Sequence, residues 1–400
     1  MGLNETPSSE RIQIGIFGRR NAGKSTLFNT LIGQELAVVS DTLGTTTDPV
    51  KKAMELLPLG PVVFTDTPGL DDEGELGQKR ITKAKEILRK IDMAIVVWDL
   101  HEESVSLEAD LLEEIKNRSL PFVFVVTKTD LFDEDTAKHR IEDLQKKLSL
   151  SETVLCAASD KETVQQKIIK NYKVPEDRPI IGDMLSKGDV VILVVPIDSA
   201  APKGRLILPQ QQVIRDVLDV GALPLVCRET ELENALKSLE HPPKMVITDS
   251  QAFGVVSSIV PKEIPLTSFS ILMARYKGDL TAQLEGAKVL DTLKDGDKIL
   301  ISEGCSHRRQ CGDIGTVKIP AWIKKHTGKD FSYAFTSGGE FPEDLSEYDL
   351  VIHCGGCTLP IGEMRYRISH AKEKEVPITN YGVLIAYLHG ILDRASEIFL

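Results

Sequence analysis

Cysteine is scarce in this chain, with six among 400 residues. So few thiols argue against a disulfide framework and leave metal ligands or small core residues as their roles. Positive charge is also short. Lys and Arg number 48 against 60 Asp and Glu, and 48 − 60 gives a net −12. A chain with that balance has no overall electrostatic footprint for nucleic acid or anionic lipid. Glycine (29) and proline (20) show no excess, which excludes collagen-like and low-complexity classes. No apolar run approaches the roughly 18 residues that span a bilayer. The polar start MGLNETPSSE does not read as a signal peptide, and Glu5-Thr6-Pro7 after Gly2 fits a myristoylation site poorly. The expectation is a cytoplasmic protein with no nucleic-acid and no membrane partner.

What is present is enough ordinary globular chain for two or three domains. Up to about residue 170, short apolar runs at Ile12 to Ile16, Val62 to Phe64, Met93 to Trp98, Phe122 to Val126 and Thr153 to Cys156 alternate with amphipathic stretches. That βα rhythm predicts an α/β fold with a doubly wound, mainly parallel sheet. The polar, proline-containing stretch Asn171 to Gly182 reads as a linker. Two smaller α/β blocks follow, with a proline-bounded seam at Val260 to Pro265. The expected domains are 1–172, 178–265 and 266–400, with no internal repeat at a fixed period.

Gly18-Arg19-Arg20-Asn21-Ala22-Gly23-Lys24-Ser25 matches GxxxxGK[ST] between a strand and a helix. Its glycines let successive N–H groups curl around phosphates at a helix N-terminus. Lys24 would reach the β/γ-phosphates and Ser25 would ligate Mg2+, with Thr26 next on the helix. Asp66-Thr67-Pro68-Gly69 follows a strand, where Asp66 suits the magnesium side and the Gly69 N–H the γ-phosphate. Asp130, in Thr127-Lys128-Thr129-Asp130, could accept two hydrogen bonds from guanine, which adenine cannot supply. Lys128 would cover the ring, and Ala157, after Cys156, would meet the guanine O6. Arg19 and Arg20 are open to either phosphate or solvent.

In this order, over residues 10 to 170, these motifs resemble the small GTPase domains of the TrmE–Era type, which implies GTP/GDP as ligand. Gly44-Thr45-Thr46-Thr47-Asp48 is similar to that group's switch I, with Thr45 or Thr46 sensing magnesium. Leu70 stands where Ras-like proteins carry a water-orienting Gln. Asn21 occupies the position at which potassium-activated members hold K+, so the resemblance implies slow, K+-stimulated hydrolysis. One departure is Thr127, where the base motif usually has Asn. A single hydroxyl replaces only part of the amide's tethering.

Near the other end, Cys305-Ser306-His307 and His353-Cys354-Gly355-Gly356-Cys357 are separated by 45 residues, 308–352. Both groups follow apolar strands, and parallel strands share one carboxyl edge. Three readings stay open on spacing: an iron–sulfur cluster on Cys305, Cys354 and Cys357; a structural zinc completed by His307 or His353; or buried thiols. Arg308-Arg309 could attract an anionic fragment. Cys156 and Cys227 read as core residues.

Taken together, the two motif sets and the segment Asp313-Ile314-Gly315-Thr316-Val317-Lys318-Ile319-Pro320 resemble the HydF family, the FeFe-hydrogenase maturation GTPases. The resemblance implies a GTPase domain, a dimerisation domain and a cluster domain in a homodimer. It also implies a 4Fe-4S cluster on three cysteines with an exchangeable fourth site. His353, His307 and Glu303 are the neighbours considered for that site. Cys311 is a fourth thiol that would close it. The implied role is a scaffold that receives a di-iron precursor dependent on two radical-SAM maturases and passes it to apo FeFe-hydrogenase. The alternative is a ribosome- or tRNA-directed GTPase with a structural zinc domain.

Overall fold

Apolar runs flanked by amphipathic helices become strands buried on both faces. The structure, a computed structural model, describes residues 7–33, 49–71, 74–152, 154–158, 161–173, 179–196, 206–304 and 313–400. It divides into two units, Met1–Glu176 and Asp177–Leu400.

The first unit runs β1 (Ile12–Gly18), α1 (Lys24–Ile32), β2 (Val50–Leu56), β3 (Gly60–Asp66), α2 (Gly74–Leu88), β4 (Met93–Asp99), α3 (Ser106–Asn117), β5 (Phe122–Thr127), α4 (Glu134–Lys147), β6 (Leu155–Ala157) and α5 (Lys161–Asn171). Its sheet order is β2-β3-β1-β4-β5-β6. Only β2 is antiparallel to its neighbour. Alternate residues of each strand enter opposite cores: Ile14, Phe64, Ile95 and Val125 on one face, Phe17, Val96, Phe124 and Val126 on the other. Covering both faces requires continuous rather than alternating hydrophobicity, and β4 is accordingly buried at every position. Strand β1 lies between β3 and β4, where the strand order reverses. The loop after Gly18 therefore opens into the crevice in which such sheets take ligands. The sequence reading passed over β2, VKKAMEL, because Lys52 fills one of its inward positions with an aliphatic stem.

The second unit runs β7 (Val190–Val194), α6 (Leu208–Asp219), β8 (Leu223–Cys227), α7 (Leu232–Ser238), β9 (Met245–Thr248), α8 (Phe253–Ile259), β10 (Leu266–Ser268), α9 (Phe269–Lys277), α10 (Leu280–Lys288), β11 (Lys298–Glu303), α11 (Ile319–Thr327), β12 (Ser332–Ser337), β13 (Leu350–His353), α12 (Ile361–Glu373), β14 (Ile378–Asn380), α13 (Tyr381–Leu388) and α14 (Leu392–Ser396). Two parallel sheets result, ordered β10-β9-β7-β8 and β12-β11-β13-β14. Strand β10 lies beyond residue 265 yet pairs with β9. The second sheet and its last helix therefore end at Lys277, not at the proline seam.

The two sheets have one topology. In each, the first strand is central, the second forms one edge, and the third and fourth extend the other way. The expectation of no repeat at a fixed period is compatible with this duplication, whose spacing varies along the chain. Lys262 to Ala274 reads KEIPLTSFSILMA and Lys374 to Ala386 reads KEVPITNYGVLIA, identical at six of thirteen positions. The offset is 374 − 262 = 112 here. It is 296 − 188 = 108 at the turns before β7 and β11, so no fixed period shows. Those turns match in detail. Gly188 and Gly296 both have φ near +90°, and the Asp189 and Asp297 carboxylates accept from the Ser186 and Lys294 N–H groups.

Each copy also covers the other. Buried Thr267 of β10 donates to the Ala395 carbonyl of α14, and buried Thr379 of β14 donates to the Gln283 carbonyl of α10, both at 2.8 Å. One core includes Ile192, Val194 and Val246 of the first copy with Ile299, Ile301 and Ile352 of the second.

Candidate nucleotide site and candidate metal centre

The phosphate loop passes from the buried end of β1 into α1 with Asn21 and Gly23 in the left-handed region, φ 57° and 86°. Lys24 is 7% exposed. Its Nζ sits inside the loop, 3.1 Å from the Gly18 carbonyl and 2.5 Å from that of Arg19. The Ser25 hydroxyl donates to Asp66 Oδ2 at 2.7 Å. Asp66 is 1% exposed and its Oδ1 has no hydrogen-bond partner among the described residues. Burial raises the Asp66 carboxyl pKa, against the lowering effects of the Ser25 bond and the Lys24 charge. A buried carboxylate oxygen without a partner, beside a serine hydroxyl and a lysine, fits a hard cation with phosphate. Ser25 and Asp66 would hold Mg2+. The segment after Asp66 closes on the loop: the Leu70 N–H donates to the Gly18 carbonyl, and the Arg20 N–H donates to Asp71 Oδ1 at 2.6 Å. A Cβ at Gly69 would stand 3.0 Å from the Arg20 nitrogen. Thr26 is exposed on α1 and Ala22 is buried beneath the loop. Thr45 and Thr46 lie outside the described residues.

Arg19 does not point to phosphate. It forks onto Glu108 of α3, with Nε–Oε1 2.9 Å and Nη2–Oε2 3.1 Å, and Glu108 is fully buried. This bidentate pair anchors the loop from outside. Sequence gave no sign of it, since Glu108 lies 89 positions away on another helix.

The base-recognition segment shows what Thr127 does in place of Asn. Its hydroxyl lies 2.7 Å from the Ala22 carbonyl and 3.2 Å from that of Trp98. With one proton it donates mainly to the nearer carbonyl, which belongs to the phosphate loop. Lys128 adopts φ 57° and its Nζ pairs with Asp99 at 2.5 Å. Burial opposes ionisation of Asp99, but bonds from Lys128 and His101 outweigh it and hold the carboxyl below its ordinary pKa. Asp130 is exposed in the turn that follows. Cys156 is a buried residue of β6, with Ala157 after it at the strand end.

In the second unit, register brings the later motifs together. Ser302 pairs with His353, and the Cys354 N–H donates to the Ser302 carbonyl. The Gly304 N–H then points to Cys354 Sγ at 2.9 Å and the Gly356 N–H at 3.4 Å. Two amide donors on one sulfur favour the thiolate. Gly356 has φ 61°, and a Cβ there would meet Met364 Sδ at 2.5 Å. Burial and the nearby Cys354 push the Cys357 thiol pKa up, against the pull of Lys277. Cys305, His307, Arg308, Arg309 and Cys311 lie outside the described residues. Among the described residues no group of three His, Cys, Asp or Glu side chains forms a metal site. The thiols that are described, with amides aimed at sulfur, fit an anionic sulfur-ligated group.

His353 is not a free ligand, contrary to the expectation placed on it. It is 1% exposed, with Nδ1 2.6 Å from the Cys354 carbonyl and Nε2 2.9 Å from Arg367 Nη1. Arginine only donates, so Nε2 accepts and Nδ1 carries the proton. Arg367 itself is fully buried. It binds Glu363, Ser302 and the Gly338 carbonyl. The ring thus braces the cysteine loop from behind. Glu303 is 7% exposed, and its Oε1 accepts from the Tyr381 hydroxyl at 3.3 Å. Burial raises the Tyr381 pKa, with Cys354, Glu303 and Asp313 adding to the effect, so the hydroxyl stays a donor. Tyr381, Arg367 and Lys277 were missed because nothing near them in sequence marks them. Apart from Glu363, which lies one helical turn from Arg367, their partners lie 14 to 82 residues away.

Comparison with known proteins agrees with this division. A 50S ribosome-binding GTPase model matches residues 13–128, a hydrogen maturase F dimerization domain residues 180–278, and a hydrogen maturase F tetramerization domain residues 281–398. The GTPase Era of Heliobacterium modesticaldum is 31% identical over 165 residues, which is 41% of this chain and 55% of that protein. The GTPase Der of Sulfurimonas denitrificans is 34% identical over 146 residues, 36% of this chain and 29% of that one. The chain thus spans about half the length of the Era relatives it matches. Among solved structures, Era in complex with MgGDPNP and a 16S ribosomal RNA segment aligns with 54% of this chain and 93% of its own, at 19% identity and TM-score 0.36. A bacterial selenocysteine-specific elongation factor covers 42% and 30%, at 22% identity and TM-score 0.33.

The phosphate loop, the magnesium-side carboxylate and the base motif on a doubly wound sheet define a P-loop GTPase domain. The rest of the molecule is what sets it apart from Era and Der. The two hydrogen maturase F models cover 99 and 118 residues, together more than half of the 400, and the chain belongs to the hydrogen maturase F family.

Proposed function

We propose that the chain is a GTP-hydrolysing scaffold and carrier for hydrogenase maturation. It binds a 4Fe-4S cluster, receives a di-iron precursor made by radical-SAM maturases, and delivers it to apo FeFe-hydrogenase. The observation that carries this reading is the Cys354 sulfur held by the Gly304 and Gly356 amides, one residue from Cys305, in a chain of this family. Cys305, Cys354 and Cys357 hold the cluster. Glu303, fixed by Tyr381, stands beside it as a labile oxygen ligand, and His307 is a further neighbour. When bound, the cluster supplies an iron site at which an incoming fragment is ligated.

In the GTPase domain, Lys24 and the loop amides bind the phosphates, and the Gly69 N–H meets the γ-phosphate. Thr45 or Thr46 completes the magnesium shell, and Asp130 selects guanine. With Leu70 where a water-orienting amide is absent and Asn21 at a K+ position, hydrolysis is slow and potassium-stimulated. Residues 180–278 hold a homodimer together. GTP hydrolysis regulates partner exchange or conformation and does not drive the iron chemistry directly.

The test is anaerobic reconstitution of the full chain, with iron and zinc quantified and EPR recorded after dithionite reduction. A 4Fe-4S signal that shifts with imidazole or cyanide, and is lost in Cys305→Ala, Cys354→Ala and Cys357→Ala, is expected. Stoichiometric zinc without a cluster would overturn the reading. It would favour a ribosome- or tRNA-directed GTPase with a structural metal domain, a possibility kept in view by the ribosome-binding GTPase model over residues 13–128.

A further inference from the structure

Lys277 ends α9 of the first copy, and it is 2% exposed. A lysine is almost never fully buried unless its charge is met. Here Nζ lies 3.1 Å from the Gly356 carbonyl, 3.0 Å from that of Cys357 and 3.0 Å from that of Leu359. Three acceptors match the three N–H donors of an ammonium, whereas a neutral amine would turn its lone pair on one of them. The same loop directs its Gly356 N–H to Cys354 Sγ. The cysteine loop therefore has its carbonyls on a buried lysine and an amide on a sulfur.

The internal duplication supplies a built-in comparison. Adding the 112-residue offset, 277 + 112, places His389 at the matching position of the second copy. His389 lies against Gly254, its Cε1 3.7 Å from where a Cβ would stand, after the third strand of the opposite copy. Lys277, by contrast, donates directly to carbonyls of the loop after the third strand of its own opposite copy. The loop near His389 starts Asp249-Ser250-Gln251 and carries no cysteine, and His389 is exposed. Among the described residues, the loop with thiols has a buried lysine on its carbonyls, while the Lys318 ammonium that meets Gln251 of the other loop is partly exposed.

We propose that Lys277 is the positioning residue that holds the Cys354–Cys357 loop in its ligating shape and sets the reduction potential of the cluster bound there, a proposal that rests on the iron–sulfur reading above. A cluster on three thiolates is anionic and gains one more negative charge on reduction. A fixed cation behind the loop favours the reduced form, because a low-dielectric surrounding screens it little. Removing that charge moves the midpoint to more negative potential. Removing the three donors also releases carbonyls that the loop's conformation presents to Lys277.

The test uses the full chain, reconstituted anaerobically with iron and sulfide, in wild-type, Lys277→Met, Lys277→Gln and Lys277→Arg forms. Iron per chain and the EPR-monitored midpoint potential are measured. Circular dichroism and the rate of GTP hydrolysis serve as checks of folding. Lys277→Met keeps its fold and GTP hydrolysis, and its midpoint falls below that of wild type. Lys277→Arg, which keeps the charge, recovers part of the shift. Should Lys277→Met not fold, Lys277→Gln, of similar length with two N–H donors, is judged by the same criterion. Loss of iron from a folded variant supports the positioning role. A full complement of iron with an unchanged midpoint overturns the proposal. So does failure of both uncharged variants to fold, which would make Lys277 a structural residue. Failure of the wild-type chain to take up iron overturns the cluster reading itself, a distinct outcome.

Discussion

At the scale of single residues, Thr127 shows how one hydroxyl serves where the base motif usually has an amide. It ties the base-recognition loop to the phosphate loop through the Ala22 carbonyl at 2.7 Å. Replacing it by valine keeps the shape and leaves that carbonyl without this donor, at a cost of about 1–2 kcal/mol. Nucleotide affinity of Thr127→Val is expected to drop about tenfold, for about 1.4 kcal/mol, read by titration with a fluorescent GDP analogue. Thr127→Asn is expected to hold or tighten binding. An unchanged affinity in both would show that the tether is idle. This residue was legible as a departure in the sequence, but its partner was not. Motifs state which residues meet the ligand, whereas the contacts that hold motifs in place come from distant helices, as Glu108 does for Arg19. The same limit applies to His353. Its position in HCxxC marked it as a ligand, but the burial of Arg367, which occupies its Nε2, is a tertiary fact.

At the scale of elements, strand runs were legible because both faces of these sheets are covered, so hydrophobicity is continuous. Without a clear signal are the edge strand β2, with the Lys52 stem on its inward face, and the three-residue strands β10 and β14. Helices α9 and α13 begin in the same way. Ser268 accepts the Ile271 N–H, and Asn380 accepts the Val383 N–H. Loss of an N-cap side chain costs about 1 kcal/mol. Ser268→Ala and Asn380→Ala are each expected to lower unfolding free energy by about that amount in urea. Asn380→Ala should cost more, since its amide also donates to the Ser270 carbonyl. Equal and negligible effects would deny these caps a role in holding the two copies together.

For the whole molecule, the phosphate loop and the base motif lie in the first unit and the cysteine loop in the second. With the nucleotide motifs in the first unit, excess GDP with Mg2+ is expected to raise the melting temperature of one transition and leave the other in place. At a ligand concentration of 100 times Kd the stabilisation is about 2.7 kcal/mol, visible by calorimetry. The second unit should melt as one step, because a single core runs through both of its sheets. Two independent transitions within residues 177–400 would contradict that. Here sequence was least informative. The proline seam at residue 265 marks a turn inside a sheet and not a border. The repeat escaped notice because its offset drifts from 108 to 112 residues.

The exchange of covering helices between the two copies has a consequence for descent. Each copy has its fourth strand capped by the tail of the other, α14 on β10 and α10 on β14. Neither half could now be inherited alone without baring that strand. The two loops that follow the third strands differ in the same sense, with Cys354 and Cys357 in one and Asp249-Ser250-Gln251 in the other. Parting the chain between α10 and β11 would therefore uncover β10 and β14 together.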